Sequence, residues 1–226
     1  MIKDNLDSVK SSLPSGVKLV AVSKTKPLED LLEAYDAGQK AFGENYPLEL
    51  RDKHEALPKD IEWHFIGHIQ SKQIKYYIDF VTLIHGVDSA AHLADIDRAA
   101  AKAGRVVDVL LEFHIATEET KSGFTMAEAE EMLAGLKDYP NVRVVGVMGM
   151  ATNTPDTEQV RSEFRKLHSI FDTLKQRWFA ADEAFKELSM GMSHDYAEAV
   201  AEGSTIVRVG SKIFGARNYQ KIAENK

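Results

Sequence analysis

Lys24 follows the apolar run Val17-Lys-Leu-Val-Ala-Val22, and strand alternation places it on the face of Val20 and Val22. A lysine carried to the rim of an apolar core has its charged form disfavoured by desolvation, and the resulting neutral amine attacks an aldehyde carbonyl. Lys26 lies past the strand, beside Pro27, and is the weaker candidate. Near the other end of the chain Arg208 stands two residues after Ile206 and shares its face, a fixed cation at the end of a strand. Two turns, Ser189-Met-Gly191-Met-Ser193 and Gly210-Ser211, gather small residues, hydroxyls and accessible backbone N–H groups, the composition that grips a phosphate. Taken singly, each has a plainer reading: a lysine that snorkels to solvent, an arginine in a surface ion pair, glycine and serine as turn chemistry. Only their convergence carries meaning, and the secondary-structure elements decide that.

The chain opens with Ile2, Leu6, Val9 and Leu13 at helical spacing, which predicts an amphipathic helix within residues 1–14, before Pro14-Ser15-Gly16. The strand ending at Val22 comes next. Pro27 then stands at a first helical position, and the stretch Leu28 to Ala37 ends at Gly38. The couplet recurs, with strands near Lys40–Asn45, Glu62–Gly67, Val81–His85, Val106–Ile115, Val142–Met150, Glu187–Met190 and Thr205–Val209. A long helix over Asp156 to Phe179 carries Val160, Phe164, Leu167, Ile170, Phe171 and Leu174 as a packing face. A helical segment starts from His194. About eight strand-helix alternations predict an α/β fold with parallel strands and right-handed crossovers, a single (β/α)8 TIM barrel with an extra N-terminal helix. No strand is followed by G-x-G-x-x-G, which argues against an open doubly wound sheet that binds dinucleotides. One domain over residues 1–226 is expected, with a frayed tail at 221–226.

Composition narrows the chemistry further. The 226 residues are 44% hydrophobic and 28% charged, ordinary for a chain that buries a core. The net charge of −7 repels phosphate backbones and anionic lipids, so neither nucleic acid nor membrane is expected as a partner. The absence of cysteine excludes disulfides, thiolate metal sites and cysteine nucleophiles. His64 and His68 read as two histidines on one strand face, and two without a third ligand are structural, so no metal is expected. Lys3, Asp4, Asp7 and Lys10 interrupt the opening segment where a secretory signal needs an apolar run, and no stretch of ~18 apolar residues follows, which predicts a soluble cytoplasmic protein.

In a parallel barrel the first and last strands are neighbours and function gathers at their carboxyl ends. An amine, a fixed cation and a phosphate cup around one rim are what pyridoxal 5′-phosphate (PLP) requires. Several motifs then agree in order: Ala21-Val-Ser-Lys-Thr-Lys-Pro27, Phe42-Gly-Glu-Asn45, Trp63-His-Phe-Ile-Gly67, Glu119-Thr-Lys-Ser-Gly123, Ser189-Met-Gly-Met-Ser193, Val207-Arg-Val-Gly210 and Ile213-Phe-Gly-Ala-Arg217. Together they resemble the pyridoxal phosphate homeostasis protein family, whose fold is similar to the alanine racemase barrel domain. The resemblance implies that Lys24 is the Schiff-base lysine and that Arg208 lies against the pyridine nitrogen. It also implies that Ser189, Ser193, Gly210 and Ser211 hold the phosphate, that Asn45 lines the ring edge, and that Met148 belongs to the cofactor-binding set. Lys121 becomes a secondary PLP or release site. The chain departs from the family pattern at Tyr46-Pro-Leu-Glu49, Gln70-Ser-Lys-Gln73, Glu112-Phe-His114 and Met148-Gly-Met150, in the pocket wall and not the anchors.

The resemblance implies a carrier or buffer of PLP in vitamin B6 and amino-acid homeostasis, without an established turnover reaction. Possible acceptors are PLP-dependent apoenzymes, and a self-contained barrel is expected to be a monomer. Arginine leaves the pyridine nitrogen unprotonated and weakens the electron sink, so Lys24 is a lone base on one side of the ring. Glu112 and His114, read on one strand face, offer a proton donor on the far side. The alternatives are a weak amino-acid racemase or transaminase, or a class I aldolase-like barrel that forms its imine with a sugar phosphate.

Overall fold

The computed structural model describes residues 1–117 and 122–216. Helix α1 (Ile2–Ser11) precedes eight parallel strands: β1 (Lys18–Val22), β2 (Ala41–Glu44), β3 (Glu62–Phe65), β4 (Leu83–Val87), β5 (Val107–Glu112), β6 (Val142–Met148), β7 (Glu187–Ser189) and β8 (Ile206–Val209). They form a closed barrel in sequence order, and the seam pairs Val20 of β1 with Arg208 of β8. The strands that deliver Lys24 and Arg208 are therefore hydrogen-bonded neighbours.

Helices α2 (Leu28–Asp36), α3 (Pro47–Ala56), α4 (Ala90–Lys102), α5 (Met126–Ala134), α6 (Thr157–Arg177), α7 (Tyr196–Ala201) and α8 (Ser211–Phe214) form the outer ring. The β3–β4 connection is a 3-10 helix, Ser71–Tyr76, and the last α-helix is a single turn. Pro27 falls one residue before α2, at its N-cap, and the helical segment expected from His194 starts at Tyr196. Strands β6 and β7 end earlier than the apolar runs that suggested them, at Met148 and Ser189, because those runs continue into loops over the barrel mouth, whereas β4 runs past His85 to Val87.

Two layers of apolar contact hold the barrel. Val20, Ala41, Leu83, Leu110, Val145, Met148 and Ile206 fill its interior. A larger shell, with Phe42, Trp63, Phe65, Phe164 and Leu174, seals strands against helices. Burial on both faces is why the strands read as continuous apolar runs. At ~25 cal/mol per Å² of apolar surface, each such side chain contributes roughly 1.5–3 kcal/mol before conformational entropy is subtracted.

Helix α1 buries Leu6 and Val9, and Asn5 Nδ2 donates to the Ile213 carbonyl at 3.0 Å. Its free N-terminal N–H groups at Ile2 and Lys3 are met by Glu33 of α2 at 2.9 and 3.2 Å, where the Met1 cap has no side-chain acceptor of its own. Among the described residues, no helix is long and apolar enough to cross a membrane.

Candidate functional site

A cavity of about 450 Å³ opens at the carboxyl ends of the strands on the β1–β8 side. Val22, Lys24, Asn45, Ser193, Arg208, Gly210 and Ser211 line it together with Ile66, Met150 and Met192. Alternation along β1 accounts for Lys24: Val20 packs inside the barrel, Val22 reaches the cavity floor and Lys24 follows on the same side. Ile206 and Arg208 repeat the pattern on β8. Gly67 sets the wall at β2, since a Cβ there would stand 2.1 Å from the Asn45 carbonyl oxygen; only glycine lets the two strand exits meet.

Arg208 is 5% exposed. Its guanidinium donates to Ser189 Oγ at 2.6 Å and to the Gly149 carbonyl at 3.3 Å. Burial pushes its pKa down to about 10, against the pull of Glu112 and Asp195, so it stays a cation at neutral pH. Lys26 also reaches the cavity, but its ammonium is committed to the carbonyls of Phe214, Gly215 and Ala216 at 2.7, 3.2 and 3.1 Å.

Of the anion-binding residues, Ser193, Gly210 and Ser211 stand together, and the Gly210 N–H donates to Ser193 Oγ at 3.0 Å. Asp195 closes the preceding loop by accepting from the Met192 N–H at 2.5 Å. Ser189 is elsewhere. It lies fully buried below the cavity, spent on Arg208 and on His85 Nδ1 at 2.9 Å, so it supports the arginine and does not join the cup. Met148 likewise packs in the barrel interior, and Met150, two residues on, supplies the wall. Neither Glu112 nor His114 lines the cavity. Glu112 is buried with its pKa pushed up to about 7, mainly by burial and then by the charge of Asp88. Lys121 and the tail at 221–226 lie outside the described residues.

The histidines reading needs correction. β3 ends at Phe65, so His68 is on no strand face; it is exposed, 3.8 Å from Asp88, while His64 points into the barrel and pairs with His85 Nε2 at 2.9 Å. Burial pushes His64 down to about 3 and His85 well below its usual value, so both are neutral. The chain His64–His85–Ser189–Arg208 crosses the barrel under the cavity. His85 was missed in the sequence, although its place two residues after the interior residue Leu83 puts it on the inner face of β4. Among the described residues, no group of three metal-ligating side chains is present.

The residues present fit a phosphorylated aromatic aldehyde. Asn45 lines the cavity with Oδ1 buried and without a hydrogen-bond donor, a vacancy that a polar ligand group would satisfy. At Gly210 a Cβ would stand 3.0 Å from the Val22 carbonyl oxygen, a close approach that favours glycine.

The chain belongs to the alanine racemase N-terminal domain family, whose sequence pattern matches residues 1–218. It is 41% identical over 203 residues to the pyridoxal phosphate homeostasis protein of Aquifex aeolicus, covering 89% of this chain and 88% of that one. The protein of the same name from Escherichia coli K12 is 38% identical over 214 residues, 92% and 89% of the two chains. Among solved structures, PipY of Synechococcus elongatus PCC7942, with PLP bound, superposes with a TM-score of 0.86 at 34% identity, covering 95% of this chain and all of PipY. PipY without PLP gives 0.90. An alanine racemase from Clostridium difficile shares the fold at 16% identity and a TM-score of 0.76, and this chain spans 59% of it.

Proposed function

We propose that this chain binds PLP in the β1–β8 cavity and acts in the cytoplasm as a monomeric carrier or buffer of it, in vitamin B6 and amino-acid homeostasis. PLP is then cargo, handed to PLP-dependent apoenzymes. The observation that carries the reading is that Lys24, Arg208 and the Ser193–Gly210–Ser211 cup wall one cavity. Lys24 would hold the aldehyde carbon through its Nζ with loss of water, a link that hydrolysis would reverse to release the cargo. Arg208 would hold the ring nitrogen, the cup would take the ester phosphate, and Asn45 would meet the ring edge.

Bound PLP supplies an electron sink, and an arginine at the ring nitrogen keeps that sink weak because it does not hand over its proton. Glu112 and His114 stand outside the cavity lining, so no second acid or base from that pair faces Lys24 across it. Storage and release suit such a site better than turnover.

Adding PLP to the protein, reducing with borohydride and mapping the adduct by mass spectrometry tests the reading. A reducible adduct on Lys24, with the imine absorbance band lost in Lys24→Ala, is expected. Absence of any adduct on Lys24 would overturn it. Rapid exchange of the Cα proton of an added amino acid for deuterium would move the protein to the racemase or transaminase class.

A further inference from the structure

Lys24 sits in a β-turn closed by the Lys26 N–H donating to the Ser23 carbonyl at 3.0 Å. Thr25 occupies the third position of that turn with φ of +64°, the one positive value at a non-glycine among the described residues. Turns that need positive φ there normally use glycine or asparagine, and a β-branched residue is strained in that region. Something else must hold it.

The Thr25 N–H donates to Glu49 Oε1 at 2.6 Å, and that oxygen also accepts from Lys53 Nζ at 2.7 Å. Lys53 Nζ reaches the other side of the turn as well, donating to the Ser23 carbonyl and to Glu44 Oε1, each at 2.7 Å. Ser23 Oγ donates to the same Glu44 oxygen at 2.6 Å. One ammonium, 4% exposed, thus clamps both flanks of Lys24 to β2 and α3. Ser23, Glu44, Glu49 and Lys53 all stand outside the cavity lining, so the cluster touches the turn and not the ligand space.

We propose that Glu49 and Lys53 of α3 are positioning residues that hold the Ser23–Lys26 turn, and so aim Lys24 into the cavity. The proposal rests on the reading of Lys24 as the PLP-capturing lysine. It explains why a threonine is tolerated where turn chemistry calls for glycine: the acceptor on Glu49 fixes the backbone from outside.

The test uses the full chain as wild type, Glu49→Ala, Glu49→Gln, Thr25→Gly and the double variant Glu49→Ala/Thr25→Gly, each checked for folding by its urea midpoint. Glu49→Ala is expected to slow the rise of the PLP adduct at least tenfold, and Glu49→Gln, which keeps an acceptor, less than that. Glycine takes positive φ without a side-chain clash, so adding Thr25→Gly to Glu49→Ala should return the rate to within about threefold of wild type. A role confined to stability would not be rescued in this way. Wild-type adduct rates in folded Glu49→Ala, or no rescue by Thr25→Gly in a folded double variant, would overturn the proposal. Reductive methylation with formaldehyde, read at Lys24 by peptide mapping, reports its presentation without PLP. Glu49→Ala should shift that rate at least threefold and Thr25→Gly should restore it. If wild type forms no PLP adduct while methylation follows this pattern, the PLP reading fails and the positioning role stands; an unchanged methylation rate sinks the latter.

Discussion

Arg208 and Lys53 are both buried cations, 5% and 4% exposed, but their surroundings differ. Arg208 donates to a hydroxyl and a carbonyl, and the histidines beyond Ser189 are neutral. Its charge is solvated at close range by dipoles, and Glu112 and Asp195 act on it only through space. Lys53 is held by two carboxylates as well as a carbonyl, and its charge is consumed locally. The first arrangement attracts an anion or an electron-rich ring nitrogen, and the second ties backbone segments together. The difference separates a group poised for a ligand from a group that shapes the chain.

Removing each cation should therefore hurt different properties. The largest stability loss is expected for Lys53→Met, which leaves the buried Glu44 and the half-buried Glu49 without their counter-charge and should cost about 3–5 kcal/mol in urea unfolding. If it costs no more than a surface substitution, Lys53 is no clamp. Next comes Glu112, whose carboxyl faces the charges of Asp88 and Arg208. Its raised pKa lets the folded chain keep a proton that the unfolded chain loses near ~4.3. The stabilisation from this group is then full below ~4.3 and drains as pH rises to about 7, on the order of 3–4 kcal/mol in all. Glu112→Gln should flatten the fall in stability over that window, measured by unfolding at pH 5 and pH 8; an unchanged slope would contradict the raised value.

Ser189→Ala removes the acceptor of Arg208 and the partner of His85 together, and should cost about 1–3 kcal/mol and weaken PLP binding with it. The smallest stability effect belongs to Arg208→Met, within about 1 kcal/mol of wild type, because an apolar side chain replaces a cation that was never paired with a carboxylate. PLP affinity in that variant should nevertheless fall tenfold or more, read by absorbance titration. A stability loss as large as that of Lys53→Met would erase the contrast.

Lys24 and Arg208 were legible in the sequence because apolar neighbours two residues away fix the face of a strand. The same rule left Met148 and Met150 undistinguished, since both lie on one side and only the end of β6 decides which meets the cavity. Ser189 reads as a cup residue because composition marks a hydroxyl near a turn without saying which way it points, and the fold turns it to Arg208 and His85. His85 carried only strand alternation as a local signal, and Lys53 carried none. Their partners Ser189 and Ser23 lie 104 and 30 residues away, and a lysine on a short helix reads as solvated until the fold buries it. The helix count blurred where connections are short, at the 3-10 turn Ser71–Tyr76 and the single turn Ser211–Phe214.

The barrel closes by pairing β1 with β8, so the two walls of the cavity come from strands far apart in the order of synthesis. A nascent chain still attached to the ribosome lacks the second wall until β8 emerges, and premature stop products lack it permanently. Capture of a ligand by both walls thereby becomes a report that synthesis ran through β8.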